Sequence, residues 1–260
     1  MLRLRIAVQL RSLNLPFKQA LATARRLGVE AVEIDARGEL TPQALGDTGI
    51  RQIRKLLDDY ELRAAAVEFR TRRGYNVTDE LDRRVEATKS AMRFAYALGA
   101  SVVTNHIGKI PDDVESAEWR LMVEVLTDLA TFGQRVGALI CAETGVDSGP
   151  DIARLLAALP EGLVGVTLDP GNLIVSSFAP LDVIEAVGAA IHHVHVNDAV
   201  TDVHQGRGMQ VEIGRGEADF PALLAALEER HYQGYLSIER PTSHDAAGEI
   251  ARAVQFLRSL

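Results

Sequence analysis

Four stretches in the second half of the chain share one pattern. Each is a short apolar run ending on a group able to hold a cation or move a proton. Cys141-Ala142-Glu143-Thr144-Gly145 places Glu143, and Thr167-Leu168-Asp169-Pro170-Gly171-Asn172 places Asp169 and Asn172. His192-His193-Val194-His195-Val196-Asn197-Asp198 offers two inward-facing histidines and a terminal Asn-Asp pair, and Ser237-Ile238-Glu239-Arg240-Pro241 places Glu239. A single carboxylate at such a position is ordinarily a helix cap, a turn former or half of a surface ion pair. Inside apolar flanks it is costly unless paired or metal-bound. Several carboxylates converging on one point repel each other unless a cation lies between them. Three carboxylates and one imidazole form an oxygen-rich, hard donor set. It suits Mn2+ or Mg2+ with open positions better than a closed zinc site, with Co2+, Fe2+ and Zn2+ as other occupants.

The elements that must position these groups alternate from end to end. Strand-like runs, mostly rich in β-branched residues, occur at Leu4–Leu10, Ala31–Ala36, Leu62–Phe69, Ser101–Gly108, Ala138–Gly145, Leu163–Pro170, Ile191–Asp198 and Tyr235–Pro241. Helices are expected after each. They are Phe17–Leu27, Gln43–Tyr60 behind a Thr41 cap with proline at the first helical position, Asp79–Leu98, Trp119–Val136, Asp151–Leu159, Leu181–Val187, Phe220–Arg230 and Ala246–Leu260. Strands that each feed a returning helix build a parallel sheet. No glycine-rich phosphate loop follows the first strand, so a single closed (β/α)8 TIM barrel spanning residues 1–260 is expected over an open doubly wound sheet. In a barrel the strand ends face one mouth, where catalytic groups sit. The longest irregular stretch is expected at Ala199–Ala218, between the seventh strand and its helix.

Composition narrows the function classes. The 260 residues carry 28 Lys+Arg and 36 Asp+Glu, a net charge of 28 − 36 = −8, which argues against a nucleic-acid binder. Hydrophobic residues at 47% allow a substantial core. No stretch reads as a membrane span or signal peptide. The one cysteine, Cys141, excludes an internal disulfide, and the expected setting is a reducing cytoplasm.

The motifs Ala142-Glu143-Thr144, Leu168-Asp169-Pro170-Gly171-Asn172, His193-Val194-His195-Val196-Asn197-Asp198 and Ile238-Glu239 resemble the metal-ligand motifs of the sugar phosphate isomerase/epimerase branch of the xylose isomerase-like barrels. Ile213-Gly214-Arg215-Gly216-Glu217 resembles that family's Gly-x-Gly-Glu segment. The resemblance implies a ligand set of Glu143, Asp169, His195 and Glu239, with Glu143 and Glu239 also transferring protons on opposite faces of a sugar. It implies a divalent-metal-dependent isomerase or epimerase working through a metal-stabilised enediolate on a sugar, sugar phosphate or related polyol. The alternative is a lyase that dehydrates a keto-inositol or a dehydroshikimate-like acid. DNA-repair endonuclease activity and a non-catalytic sugar-binding barrel are further alternatives. The implied partner is a small carbohydrate-like substrate, with no nucleic acid or membrane, and a homo-oligomer is compatible with the family. One departure is Asn172, where epimerase-like members often carry histidine. An amide hydrogen-bonds a hydroxyl but shuttles no proton at neutral pH.

Other expected mouth residues follow from strand-end position. His106, Asn172, Lys109, Arg207 and Glu68 are expected to contact substrate. Glu33 is a substrate or structural group. His193, two residues before His195, points inward as a buried supporting residue. Arg11, Arg37, Arg70, Arg72, Arg73, Lys109, Arg207, Arg215 and Arg240 all follow strands or lie in the long loop. Some are expected to recognise a substrate anion, the rest to pair with surface acids. Asp202 and His204 form an Asp-x-His pattern that chance also produces.

Overall fold

The computed structural model describes residues 4–202, 207–240 and 243–260. Eight parallel strands close into a barrel. They are β1 (Ile6–Gln9), β2 (Ala31–Asp35), β3 (Arg63–Glu68), β4 (Val102–Asn105), β5 (Leu139–Glu143), β6 (Val164–Leu168), β7 (Ile191–Val196) and, after a hairpin of β8 (Asp198–Asp202) and β9 (Arg207–Val211), β10 (Leu236–Ile238). Around the ring the order is β1-β10-β7-β6-β5-β4-β3-β2, so the first and last barrel strands pair. The helices are α1 (Phe17–Leu27), α2 (Pro42–Asp59), α3 (Leu81–Ala97), α4 (Ala117–Val136), α5 (Gly149–Ala157), α6 (Pro170–Val175), α7 (Pro180–Val187), α8 (Phe220–Glu229) and α9 (Ala246–Ser259). No helix among the described residues is long and apolar enough to cross a membrane.

Side chains that alternate along the strands separate two cores. Outward residues such as Leu168, Val194, Val196 and Leu236 are buried beneath Phe220, Leu223, Leu227 and Leu257 of the helical layer. Inward positions away from the mouth are filled by small residues, Ala7, Ala31 and Ala65 beside Tyr235, and Ala66 with Val102 and Cys141. That layered filling makes the barrel a packed body rather than a pore.

Three expectations are corrected. Thr41 precedes Pro42 as expected, but makes no cap bond; its hydroxyl donates to Gly38 O at 3.2 Å. The polar, glycine-rich run at Ala199–Ala218 is not irregular throughout: Asp198–Asp202 pairs antiparallel with Arg207–Val211. The pairing partner, not periodicity, makes these strands, so the sequence pattern conceals them. A further helix, α6, starts immediately after Asp169, where no helix was expected.

Two register shifts matter for the site. Between β2 and β3 the pairing slips at Val32/Glu33, and between β6 and β7 it slips at Val166/Thr167, leaving His192 without a partner in the ladder. A bulge of this kind re-aims the residues that follow. His192 is exposed, while His193 and His195 are buried.

Candidate active site

Glu143, Asp169, His195 and Glu239 come from the ends of β5, β6, β7 and β10, which are consecutive in the ring. One donor atom from each lies within 4.8 Å of the others. His195 Nδ1 is 3.3 Å from Glu239 Oε2, 3.8 Å from Asp169 Oδ2 and 3.9 Å from Glu143 Oε1. Oxygen and nitrogen ligands about 2.1 Å from one ion stand roughly 3 to 4 Å apart, so these separations match a shared cation. His195 Nδ1, Glu143 Oε2 and Glu239 Oε2 are buried with no hydrogen-bond partner in the protein. Buried polar atoms are rarely left unpartnered, and a cation beside His195 Nδ1 and Glu239 Oε2, 3.3 Å apart, would satisfy both. The donor set therefore fits a divalent metal.

Local structure divides the work of each carboxylate. Asp169 caps α6: its Oδ1 accepts from Asn172 N at 2.8 Å, which leaves Oδ2 turned toward the cluster. Its own N–H donates to Thr144 Oγ1 at 2.8 Å. Asn172, on the first turn of α6, donates its Nδ2 to Asp169 Oδ2 at 2.9 Å and to Glu143 Oε1 at 3.1 Å. Its Oδ1 accepts from Gln210 of β9 at 3.3 Å. The amide is thus engaged with two of the four cluster residues. His106 Nε2 meets Glu143 Oε1 at 2.9 Å while its ring remains 42% exposed to the mouth.

Arg70, beyond β3, reaches into the cluster. Its Nη2 donates to Glu239 Oε1 at 2.6 Å and lies 3.7 Å from Glu143 Oε1, and its Nε pairs with Glu68. Glu68 is buried, and neither of its oxygens accepts a hydrogen bond of good geometry. Arg11 stands 4.0 Å away on its other side.

The electrostatics follow from these contacts. Burial pushes the Glu68 carboxyl up to about 8 against the pull of Arg70. Burial also raises Glu239, with Asp169 and Glu143 adding repulsion that His195 and Arg70 only partly offset. Glu143 would rise on burial too, but the His106 bond and the charges of His195, His106 and Arg70 hold it at about 2. Burial disfavours an imidazolium at His195, yet Glu33 and the surrounding carboxylates push it well above the ordinary range. A cation at Nδ1 competes with that proton for the same lone pair.

The remaining expected residues are distributed as follows. Lys109 is exposed, and the described contact at that residue is its carbonyl accepting from Asn76 at 3.4 Å. Glu33 is fully buried below the mouth, bonded to His193 and His195. The Arg207 and Asp202 side chains and the whole of His204 lie outside the described residues. Of the arginines expected near the mouth, Arg70 joins the cluster. Arg240 turns to Glu249 of α9, Arg73 to Asp79, and Arg215 to Glu212 at 3.2 Å. These three have acidic partners on neighbouring loops and helices. Gln210 was not legible as a site residue, because only the hairpin brings it to Asn172. Asp198 is also not a mouth group: it accepts the backbone N–H groups of Ala199, Gly214, Gly216 and Ala218 at 2.8 to 3.0 Å and so clamps the Gly-x-Gly-Glu segment.

Comparisons place this chain among known barrels. Residues 21–260 match the family model described as xylose isomerase-like TIM barrel. An inosose dehydratase of Clostridium beijerinckii is 23% identical over 253 residues, covering 86% of this chain and 81% of that protein. The crystal structure of a xylose isomerase domain protein from Planctomyces limnophilus superposes with a TM-score of 0.87 at 22% identity, covering 98% of this chain and 96% of that one. A D-tagatose 3-epimerase-like protein superposes with a TM-score of 0.79 at 21% identity, covering 98% of each chain.

Proposed function

The chain belongs to the xylose isomerase-like TIM barrel family, and from that premise we propose that it is a divalent-metal-dependent lyase that removes water from a cyclic keto-polyol or a related hydroxylated keto acid. Glu143, Asp169, His195 and Glu239 would hold the metal, with Mg2+ or Mn2+ favoured by the three carboxylates. When bound, the metal supplies positive charge for the substrate oxygen that becomes anionic as the α-proton leaves.

The observation that carries the reading is an inequality between the two glutamates. Glu143 is hydrogen-bonded to His106, an imidazole open to the mouth that can give up a proton. Glu239 is hydrogen-bonded to Arg70, a guanidinium that cannot. Elimination needs a base on one side and an acid on the other. Glu239, with Oε1 held by Arg70 and Oε2 turned toward the cluster, takes the α-proton. His106 delivers a proton to the departing hydroxyl. Asn172 holds Glu143 and Asp169 in place, and Glu68 and Arg70 together form the polar wall opposite Asp169. The Clostridium dehydratase supports the same choice of reaction class.

An isomerase or epimerase is the second reading, favoured by the two glutamates and the epimerase-like neighbour. It shares proton removal and differs in returning the proton to carbon. The deciding experiment incubates the Mg2+- or Mn2+-loaded protein with 2-keto-myo-inositol, 3-dehydroshikimate and a panel of ketoses in D2O. A product 18 Da lighter than substrate supports the lyase. A product of unchanged composition carrying one deuterium supports the isomerase. No turnover and no exchange with any of them overturns both.

A further inference from the structure

Beneath the four-residue cluster lies a second, wholly buried polar group. Glu33, beside the β3 bulge at Ala65, accepts four hydrogen bonds from three other strands. Oε1 takes Thr104 Oγ1 of β4 at 2.8 Å and His195 Nε2 of β7 at 3.0 Å. Oε2 takes Ser237 Oγ of β10 at 2.7 Å and His193 Nε2 of β7 at 3.3 Å. All five side chains are at most 1% exposed. A carboxylate this deep is tolerated only with such a complement of donors.

The geometry has a consequence for His195. A carboxylate oxygen 3.0 Å from Nε2 requires the proton on that nitrogen. In the neutral ring Nδ1 is then bare, and Nδ1 is the atom that faces Glu239, Asp169 and Glu143. With the opposite tautomer Nδ1 would carry a hydrogen and could not ligate. His193 occupies the second oxygen of Glu33, with its ring edge-on to His195 at 5.4 Å between centroids, so the carboxylate cannot swing away. Glu33, His193 and His195 also stand close enough to hold an ion of their own. Their facing atoms, however, already satisfy one another, and the unpartnered His195 nitrogen points the other way.

We propose that Glu33 is a positioning residue for the metal site: it fixes the tautomer and the ring plane of His195 so that Nδ1 is presented to the cation, while His193, Thr104 and Ser237 hold Glu33 itself. The inference rests on the reading that the four-residue cluster binds a divalent cation. It extends that reading to a side chain on the opposite arc of the barrel. Such outer partners ordinarily change metal affinity by roughly 10- to 100-fold when removed.

The test pairs titration calorimetry with Mn2+ and nitrogen-15 NMR of the histidine rings in the Mg2+-loaded protein. In the unmutated protein His195 should carry its hydrogen on Nε2. Glu33→Gln should weaken Mn2+ binding by roughly 10- to 100-fold and lose the single tautomer. Ser237→Ala removes one prop of the carboxylate but not the His195 bond, and should change affinity by less than about threefold. If the unmutated protein binds Mn2+ with His195 protonated on Nδ1, the proposal is overturned without recourse to any variant, so a Glu33→Gln protein that fails to fold does not shelter it. Unchanged affinity and tautomer in a folded Glu33→Gln protein overturn it equally. If the unmutated protein binds no Mn2+ at all, the metal reading itself falls.

Discussion

Arg70 Nη2 lies 2.6 Å from Glu239 Oε1, so a guanidinium from the end of β3 touches a carboxylate from the end of β10 across the mouth. Burial disfavours the charge on Arg70, but Glu143, Glu239 and Glu68 keep it protonated. With the proposed cation, three carboxylate ligands would leave one negative charge, which Arg70 would neutralise. The same guanidinium would repel the incoming cation. Arg70→Gln should therefore tighten Mn2+ binding by about tenfold or more, given a unit charge several ångströms away in a site of intermediate dielectric. Turnover should fall at the same time. Calorimetry and steady-state kinetics on the same preparation check both directions.

Removing either proton-transfer group should separate two partial reactions. Glu239→Gln should abolish α-proton exchange and product formation together. His106→Gln should lower dehydration by about 10²- to 10⁴-fold, the usual worth of a positioned acid, while exchange into D2O continues. Deuterium incorporation into recovered substrate, followed by NMR, distinguishes the two variants.

The cation should also act as a folding ligand. An ion that binds only the folded chain adds about 2.7 kcal/mol at a hundredfold excess over its Kd. For a chain of this length that corresponds to roughly 5 to 10 °C in Tm. Chelation should lower Tm by that order in the natural protein. It should have little effect in Glu143→Gln/Glu239→Gln, which scanning calorimetry would show.

Away from the cluster, Asp147 gives a pH signature of its own. Burial pushes its carboxyl up to about 6, helped by Asp151 and Asp112 and opposed by the Ile110 N–H and Lys109. Between about pH 4 and 6 the folded state binds more protons than the unfolded one, so this group's contribution to stability falls as pH rises through that window and is flat above it. Asp147→Asn keeps an acceptor for Ile110 N at the 3.0 Å bond. It should raise stability above pH 6 by about 1 to 2 kcal/mol and leave pH 4 unchanged, as read from urea melts across the range.

Gly216 supplies a packing test of the clamp after β9. A Cβ there would stand 2.1 Å from Asp198 Oδ1 and 2.5 Å from Ala199 O. Gly216→Ala should displace the segment from Asp198, at a cost of about 1 to 3 kcal/mol. Limited proteolysis should then cut between β9 and α8, and the unmutated protein should resist under the same conditions.

Much of this was legible in the sequence because it depends on local pattern. The alternation of apolar runs and amphipathic helices specifies the barrel. Glu143, Asp169, His195 and Glu239 stand out because each ends a run that would otherwise be apolar. What was not legible depends on reach and pairing. Arg70 and Arg240 look alike as strand-end arginines, yet one extends to Glu239 and the other to Glu249. Gln210 gains its neighbour Asn172 only through the β8–β9 hairpin. Glu33 was legible as a strand-end substrate or structural group, but not its partners: its four donors lie 71 to 204 residues away in the chain.

The ring order carries a consequence for descent. The four ligand strands form one unbroken arc, β5-β6-β7-β10, and the facing arc supplies Glu33, Thr104, Glu68 and Arg70. Neither arc is therefore free to drift alone: a substitution at Arg70 reaches Glu239 and Glu143 as well as the mouth, and one at Glu33 reaches His195.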